Sequence, residues 1–397
     1  MRIRYGNICL LAVFTLLINA CNKANSEDDK YNYEYIVLPD GKEEKVKEAT
    51  IDTTIKNGIT VSILPAEWMD YYDDSADYEN ISYFYNLGVE NTTPRYPVAR
   101  WMVEGNVEKY TVLLADNKMM ENPVSFETTE KRLEFKDLYA GNHYYYQIKA
   151  DFADKTVISK RFDFKTADFF RTIKIEGVLN ARDLGNKKTE DGKKRIKQGL
   201  VYRTANFDSV TPQGVDDAIN KYGIKTDLDL REQGPTSSPL GALVNYVNNG
   251  QGTYGSPLYV SYDNGINSED YHEPMKENLK MFANANNLPL AFHCAVGRDR
   301  TGTLAITLEL LLGIELNQIK QDYVVSFFSS VCAGASFANL NSSMNSLFNY
   351  FTQYKSNDGT NKGTIYERAE RYCLDIGLTK AEIESIRNNL LEDVTKE

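Results

Sequence analysis

The chain has 397 residues, of which 42% are hydrophobic, 25% charged and 12% aromatic, which excludes a disordered chain or one small module and allows two or three domains with buried cores. Its 45 Lys and Arg against 56 Asp and Glu give a net charge of -11, so no global positive field draws it to nucleic acid or anionic lipid, and any anion site must be local. Three widely spaced histidines (His143, His272, His293) and five scattered cysteines speak against a metal cofactor, a zinc ribbon or a disulfide framework.

At the N-terminus, Arg2 and Arg4 precede an apolar run from Ile8 to Ile18, broken only by Thr15, and then Asn19, Ala20 and Cys21. The run is about half of the ~20 residues that a membrane-spanning helix needs, so it reads as a secretory leader over residues 1–20. Ile18-Asn19-Ala20-Cys21 resembles a bacterial lipobox, which implies lipidation at Cys21 after cleavage and attachment to the bacterial cell envelope, on the periplasmic or the outer-membrane face. The alternative is an ordinary cut after Ala20. Cys9 leaves with the leader. Residues 21–50 are polar, with the acidic run Ser26-Glu27-Asp28-Asp29, and are expected to be a tether.

Residues 51–167 are strand-like: Ile59-Val61-Ile63, Tyr110-Val112-Leu114 and Phe162-Phe164 alternate with polar residues, and helical periodicity is absent. Leu138 and Tyr144 flank a turn before the strand from Tyr145 to Ala150. This resembles the tyrosine corner of fibronectin type III domains, with Ala140 and Asn142 where that family favours Pro and Thr, and implies a β-sandwich of fibronectin or immunoglobulin type. Trp68, Trp101 and the tyrosines at 71, 72 and 144–146 are expected to be core rather than a glycan platform. Whether this domain docks a protein or a glycan is left open by the sequence.

The chemistry gathers around residue 294. Leu288 to Phe292 reads as a buried strand, and Thr303 to Leu312 as an interior helix closed by Gly313. Between them lies His293-Cys294-Ala295-Val296-Gly297-Arg298-Asp299-Arg300-Thr301-Gly302. Five residues between Cys294 and Arg300 suffice for a loop whose amides at Ala295, Val296, Gly297 and Arg298 surround one tetrahedral oxyanion at a helix N-terminus. Arg300 can present two parallel donors to phosphate oxygens. The same positive field favours a thiolate at Cys294. Gly297 permits the tight backbone, His293 is placed to hold the loop, and the Thr301 hydroxyl to stabilise the departing thiolate.

His-Cys-x-x-Gly-x-x-Arg-Thr-Gly is the signature loop of cysteine-dependent tyrosine phosphatases. Gly297 to Gly302 is similar to the form found in bacterial tyrosine phosphatases of dual specificity, which also accept phosphoserine, phosphothreonine and phosphoinositides. Asn180-Ala181-Arg182-Asp183-Leu184-Gly185, Gly199 to Ala205 and Thr226-Asp227-Leu228-Asp229-Leu230-Arg231 resemble further motifs of that family, with Ala181, Asn186, Thr204-Ala205 and Arg298 as departures. The resemblance implies a catalytic domain over residues 172–397, with a mostly parallel sheet flanked by helices, no cofactor, and a phosphocysteine intermediate. It also implies Asp299 as general acid and base. Read from the residues alone, Asp299 could instead pair with Arg298 or Arg182, leaving Asp229, Asp263 or Asp270 as the acid. Asp229 and Arg231 stand at a strand end, where they could meet substrate or merely each other.

The expected whole is a multidomain, lipid-anchored phosphatase acting on a phosphoprotein or a phosphoinositide. An inositol phosphate phosphatase and a non-catalytic phosphoester-binding lipoprotein are the alternatives. Arg298 is a second cation, either suited to a second phosphate or a solvated surface arginine; the segment from Pro235 to Asn287, which includes Gly250 to Gly255, is either a lid or an ordinary crossover with a helix around Tyr271 to Ala285; and Cys332 and Cys373 are either disulfide partners for Cys294 or buried helix cysteines.

Overall fold

The computed structural model describes residues 33–38, 42–64, 89–249, 262–332, 337–359 and 361–394. The expected leader over residues 1–20, Cys21, Trp68, Tyr71, Tyr72 and the stretch from Gly250 to Gly255 lie outside them. The chain divides into two compact units.

The first unit takes residues up to 61 together with 96–167. Its strands are β1 (Tyr33–Val37), β2 (Glu43–Ala49), β3 (Asp52–Thr53), β4 (Ile59–Val61), β5 (Val98–Met102), β6 (Val107–Ala115), β7 (Val124–Thr128), β8 (Arg132–Glu134), β9 (His143–Phe152), β10 (Thr156–Ser159) and β11 (Phe162–Thr166). Ten-residue β9 organises the larger, eight-stranded sheet, pairing with β6 on one edge and with β10 and β11 on the other. β3, β5 and β8 form a second, three-stranded sheet. Aromatic rings join the two: Trp101 meets Tyr110 edge-on at 5.4 Å, and Phe135 meets Tyr146 at 5.3 Å. Trp101 and Tyr144 to Tyr146 thus contribute mainly to packing, although Tyr145 remains half-buried beside His143. The Tyr144 hydroxyl accepts from the Tyr139 amide at 2.7 Å, tying the turn to the strand that follows it.

The described part of the expected tether is instead sheet. β1 and β2 pair antiparallel, and β2 runs parallel beside β10. Their few apolar residues suffice because Ile36 and Val46 fall where they are buried against Leu113 and Ile158. Composition averaged over the segment hid that placement.

The second unit comprises 62–95 and 168–397, so the strand-rich unit is not continuous from 51 to 167. Leu64 enters the core of the second unit, the Asn91 amide donates to the Phe328 carbonyl, and the Glu90 carboxylate accepts from the Ser329 and Ser330 hydroxyls. Its central elements are β12 (Arg182–Asp183), β13 (Lys194–Ile196), β14 (Val201–Thr204), α1 (Pro212–Asp216), β15 (Thr226–Asp229), β16 (Asn245–Val247), α2 (Tyr262–Ile266) and α3 (Glu269–Ala283). They are followed by β17 (Leu290–His293), α4 (Asp299–Leu311), α5 (Leu316–Val325), α6 (Phe337–Gln353), α7 (Ile365–Asp375), α8 (Lys380–Leu390) and β18 (Leu391–Asp393).

The main sheet has the order β12-β14-β17-β15-β16 and is parallel except for β12. Both faces are covered, as parallel sheets require: Val201, Leu228, Leu290 and Phe292 point into one core, Tyr202 and Ala291 into the other. Helix α4 is buried from Thr301 to Leu311, which explains why apolar residues and threonines surround it, with buried Glu309 paired to Lys187 at 2.8 Å. It ends in a Schellman turn: Gly313 adopts φ +74°, with Ile314 N–H bonded to the Glu309 carbonyl and Gly313 N–H to that of Leu310.

Candidate active site

Parallel pairing places Thr204, His293 and Asp229 level with one another at the carboxyl ends of β14, β17 and β15. The 294–298 loop starts from this edge and runs into α4 at Asp299. Crevices at the carboxyl ends of parallel strands are where such sheets bind ligands.

Each of the first four carbonyls of the loop is held from outside. His293 Nδ1 donates to the Cys294 oxygen at 3.1 Å, Asn206 Nδ2 to that of Ala295 at 2.7 Å, Asn180 Nδ2 to that of Val296 at 2.9 Å, and Arg203 Nη2 to that of Gly297 at 2.9 Å. In a trans peptide the N–H points opposite to the carbonyl, so fixing these oxygens outward turns the amides of Ala295, Val296, Gly297 and Arg298 inward. The result is a ring of donors at the start of a helix, a site for a tetrahedral anion. Gly297 is required twice over: it adopts φ +72°, and a Cβ there would sit 2.3 Å from the Thr204 carbonyl.

Cys294 is buried. Burial opposes its ionisation, but the Arg300 charge and the hydroxyl and amide of Thr301 outweigh that and hold the thiol below its ordinary value. The Thr301 hydroxyl itself is buried and, among the described residues, meets no oxygen or nitrogen partner in the resting site. Burial also opposes charge on His293. The Asp227 carboxylate, 2.8 Å from Nε2, with Asp229 beyond, more than offsets this and raises its pKa. Asp227 in turn accepts from the Ser238 hydroxyl at 2.6 Å.

Arg300, half-buried in the first turn of α4, donates to the Leu230 carbonyl at 3.3 Å. Arg298 and Asp299 form a two-bonded pair at 2.9 and 3.1 Å. Of the other carboxyl groups weighed as acid, Asp229 is buried and bound by Arg231 and by the Tyr246 hydroxyl at 3.1 Å. Asp263 accepts from Ser346, and Asp270 is exposed in the first turn of α3. Arg231 is shared between Asp229 and Asp208, so its donors are engaged in the resting site.

The three described cysteines are free. Burial pushes the Cys332 thiol up to about 11, and its charged surroundings include Arg298, Asp299, Arg182 and Cys294; those of Cys373 are Glu370 and Arg387. Of the two, Cys332 therefore lies in the electrostatic neighbourhood of the loop. Among the described residues no group of three or more His, Cys, Asp or Glu is arranged to hold a metal ion, and no helix is long and apolar enough to cross a membrane.

Sequence reading found the loop but missed what holds it. Asn180, Arg182 and Arg203 lie in motifs with a visible family likeness, though nothing in their spacing discloses a role. Asn206 and Ser238 carry no signal at all, and the spacing around Asp322 discloses no role, because their partners are 89, 11 and 119 or more residues away. Tyr271 of α3 was also missed. It is buried near Arg300 and Cys294, and burial raises its hydroxyl pKa.

The model of a tyrosine phosphatase family matches residues 173–392, more than half of the chain and nearly the whole of the region that carries this site. No curated protein matches the chain.

Proposed function

Since the chain belongs to the tyrosine phosphatase family, and is on that ground a hydrolase of phosphate esters, we propose that it works through a phosphocysteine at Cys294 and acts as a lipid-anchored enzyme outside the bacterial cytoplasm. The observation that carries the mechanism is the ring of four amides, preset by outward-held carbonyls, around a buried thiol whose pKa is lowered.

The substrate phosphoryl group enters the ring and is gripped by Arg300, whose charge, with the amides, stabilises the equatorial oxygens. The Cys294 thiolate attacks phosphorus as the ester P–O bond breaks, and Asp299 gives its proton to the departing oxygen. Water then attacks the phosphocysteine, Asp299 takes the proton, and the S–P bond breaks. The Thr301 hydroxyl stabilises the returning thiolate. The assignment rests on the position of Asp299 in the loop motif, at the first residue of α4 and directly before Arg300. Arg298, bonded to Asp299 in the resting site, is a second cation beside the loop, and a second anionic group on the substrate would pair with it. That favours phosphoinositides or inositol phosphates as a second reading beside phosphotyrosine, phosphoserine and phosphothreonine.

Lipid attachment at Cys21 rests on the leader and Ile18-Asn19-Ala20-Cys21. A fibronectin type III-like sandwich for the strand-rich unit is supported by its two sheets, the rings between them and the Tyr144–Tyr139 bond. Purified protein should hydrolyse p-nitrophenyl phosphate in EDTA and be blocked by vanadate. Phosphopeptides compared with inositol phosphates separate the two substrate readings; phosphate binding without turnover would leave only the binding lipoprotein.

A further inference from the structure

Resting on that reading of the Cys294 loop, we propose that Asp322, on α5, is a positioning residue that presets two successive peptides of the phosphate ring from behind. It is buried, and Arg182 and Arg203, both buried, converge on it: Arg203 Nη1 donates to Oδ2 at 2.5 Å and Arg182 Nε to Oδ1 at 2.8 Å. Arg182 Nη2 adds a bond to the Asp322 carbonyl at 2.8 Å, and Lys187 Nζ stands 3.4 Å from Oδ1.

Each guanidinium has a second task. Arg203 Nη2 holds the Gly297 carbonyl at 2.9 Å. Arg182 Nη1 holds the Asn180 side-chain oxygen at 2.6 Å, and the other end of that amide, Nδ2, holds the Val296 carbonyl at 2.9 Å. A guanidinium is a rigid planar fork, so anchoring one edge to a carboxylate fixes the direction of the remaining N–H groups. One carboxylate thereby aims the carbonyls of Val296 and Gly297 outward, and with them the amides of Gly297 and Arg298 inward. Asp322 acts only through Arg182 and Arg203. The need for a buried anion is independent of the ring, because two buried guanidiniums without a counterion would be strongly destabilising.

The test compares full-length wild type with Asp322→Asn, which keeps the shape and removes the charge. Three quantities are read: the affinity for inorganic phosphate by calorimetry, the pH midpoint of Cys294 alkylation by iodoacetamide, and kcat and KM on p-nitrophenyl phosphate. Circular dichroism and melting report the fold. The expected result is a cooperative fold, phosphate affinity lowered about 10- to 100-fold, the scale typical of lost outer supports, and an alkylation midpoint moved to higher pH. A folded variant with wild-type phosphate affinity and wild-type thiol midpoint would overturn the proposal. If Asp322→Asn does not fold, Arg203→Lys carries the same test, since one ammonium can pair with Asp322 but cannot also aim a donor at Gly297 as the fork does. Failure of both variants to fold would assign the cluster to folding alone and overturn the proposal too. Direct phosphate binding keeps the two claims apart: wild type that binds phosphate without turning over esters defeats the enzymatic reading, while the variants still decide the role of Asp322.

Discussion

His293 gives a proton from each side of its ring, one from Nε2 to the Asp227 carboxylate at 2.8 Å and one from Nδ1 to the Cys294 carbonyl at 3.1 Å. Only the imidazolium can donate at both nitrogens. These two acceptors, and the raised pKa of the ring, favour a positive charge beside the nucleophile while the ring holds the first peptide of the loop, and Phe207 packs edge-on against it at 5.0 Å.

Asp227→Asn should withdraw that charge. Because the pKa of His293 is raised in the folded protein, the stability that the pair contributes is complete below the unfolded value of about 6.5 and is lost as pH rises through the folded value. The expected outcome is that Asp227→Asn lowers kcat about tenfold and moves the alkaline edge of the pH profile down. Unchanged profiles for wild type and variant would show that His293 acts by shape alone.

The lowered pKa of Cys294 fixes the opposite edge. The thiolate is lost as pH falls through that value, so iodoacetamide alkylation should reach half its maximum below the roughly 8.5 of a free thiol. Arg300→Met removes the largest favourable contribution and should move the midpoint upward. Equal midpoints in the two proteins would mean that the guanidinium does not set the thiol.

If Asp299 supplies the proton, its loss matters most where the leaving group is poor. Asp299→Asn should slow hydrolysis of an alkyl phosphate by about 10²- to 10⁴-fold, and p-nitrophenyl phosphate, whose phenolate leaves without help, far less. An equal loss on both substrates would point away from Asp299 as the acid.

Gly297→Ala forces a Cβ to within 2.3 Å of the Thr204 carbonyl and a non-glycine residue to φ +72°. The loop must shift to accommodate it. Vanadate affinity should drop at least tenfold while melting moves by only a few degrees, the strain being confined to one turn. Calorimetric titration with vanadate reads this directly, and wild-type affinity would contradict the loop geometry.

The loop was legible because its chemistry is packed into one short stretch, from His293 to Gly302. The buried strand and helix on either side of it were legible for the same reason, being short and uniformly apolar. The supports were not, since Asn206 and Asp322 reach the loop only through the fold, and their neighbours in sequence reveal no partner. Residues 33–49 were misread for a related reason. Their burial depends on the partners of Ile36 and Val46, which lie on β6 and β10, far along the chain. The sequence puts Asp229 and Arg231 at a strand end and leaves open whether they face substrate or each other; in the resting site they bond to each other.

The most direct test of the central claim is a rapid-quench experiment with a labelled phosphate ester, followed by peptide mapping. The account predicts a transient phosphoryl group on Cys294 in the wild type, and neither label nor turnover at that position in Cys294→Ala. A Cys294→Ala protein that turned over at the wild-type rate, or a label that mapped to any other residue, would contradict it.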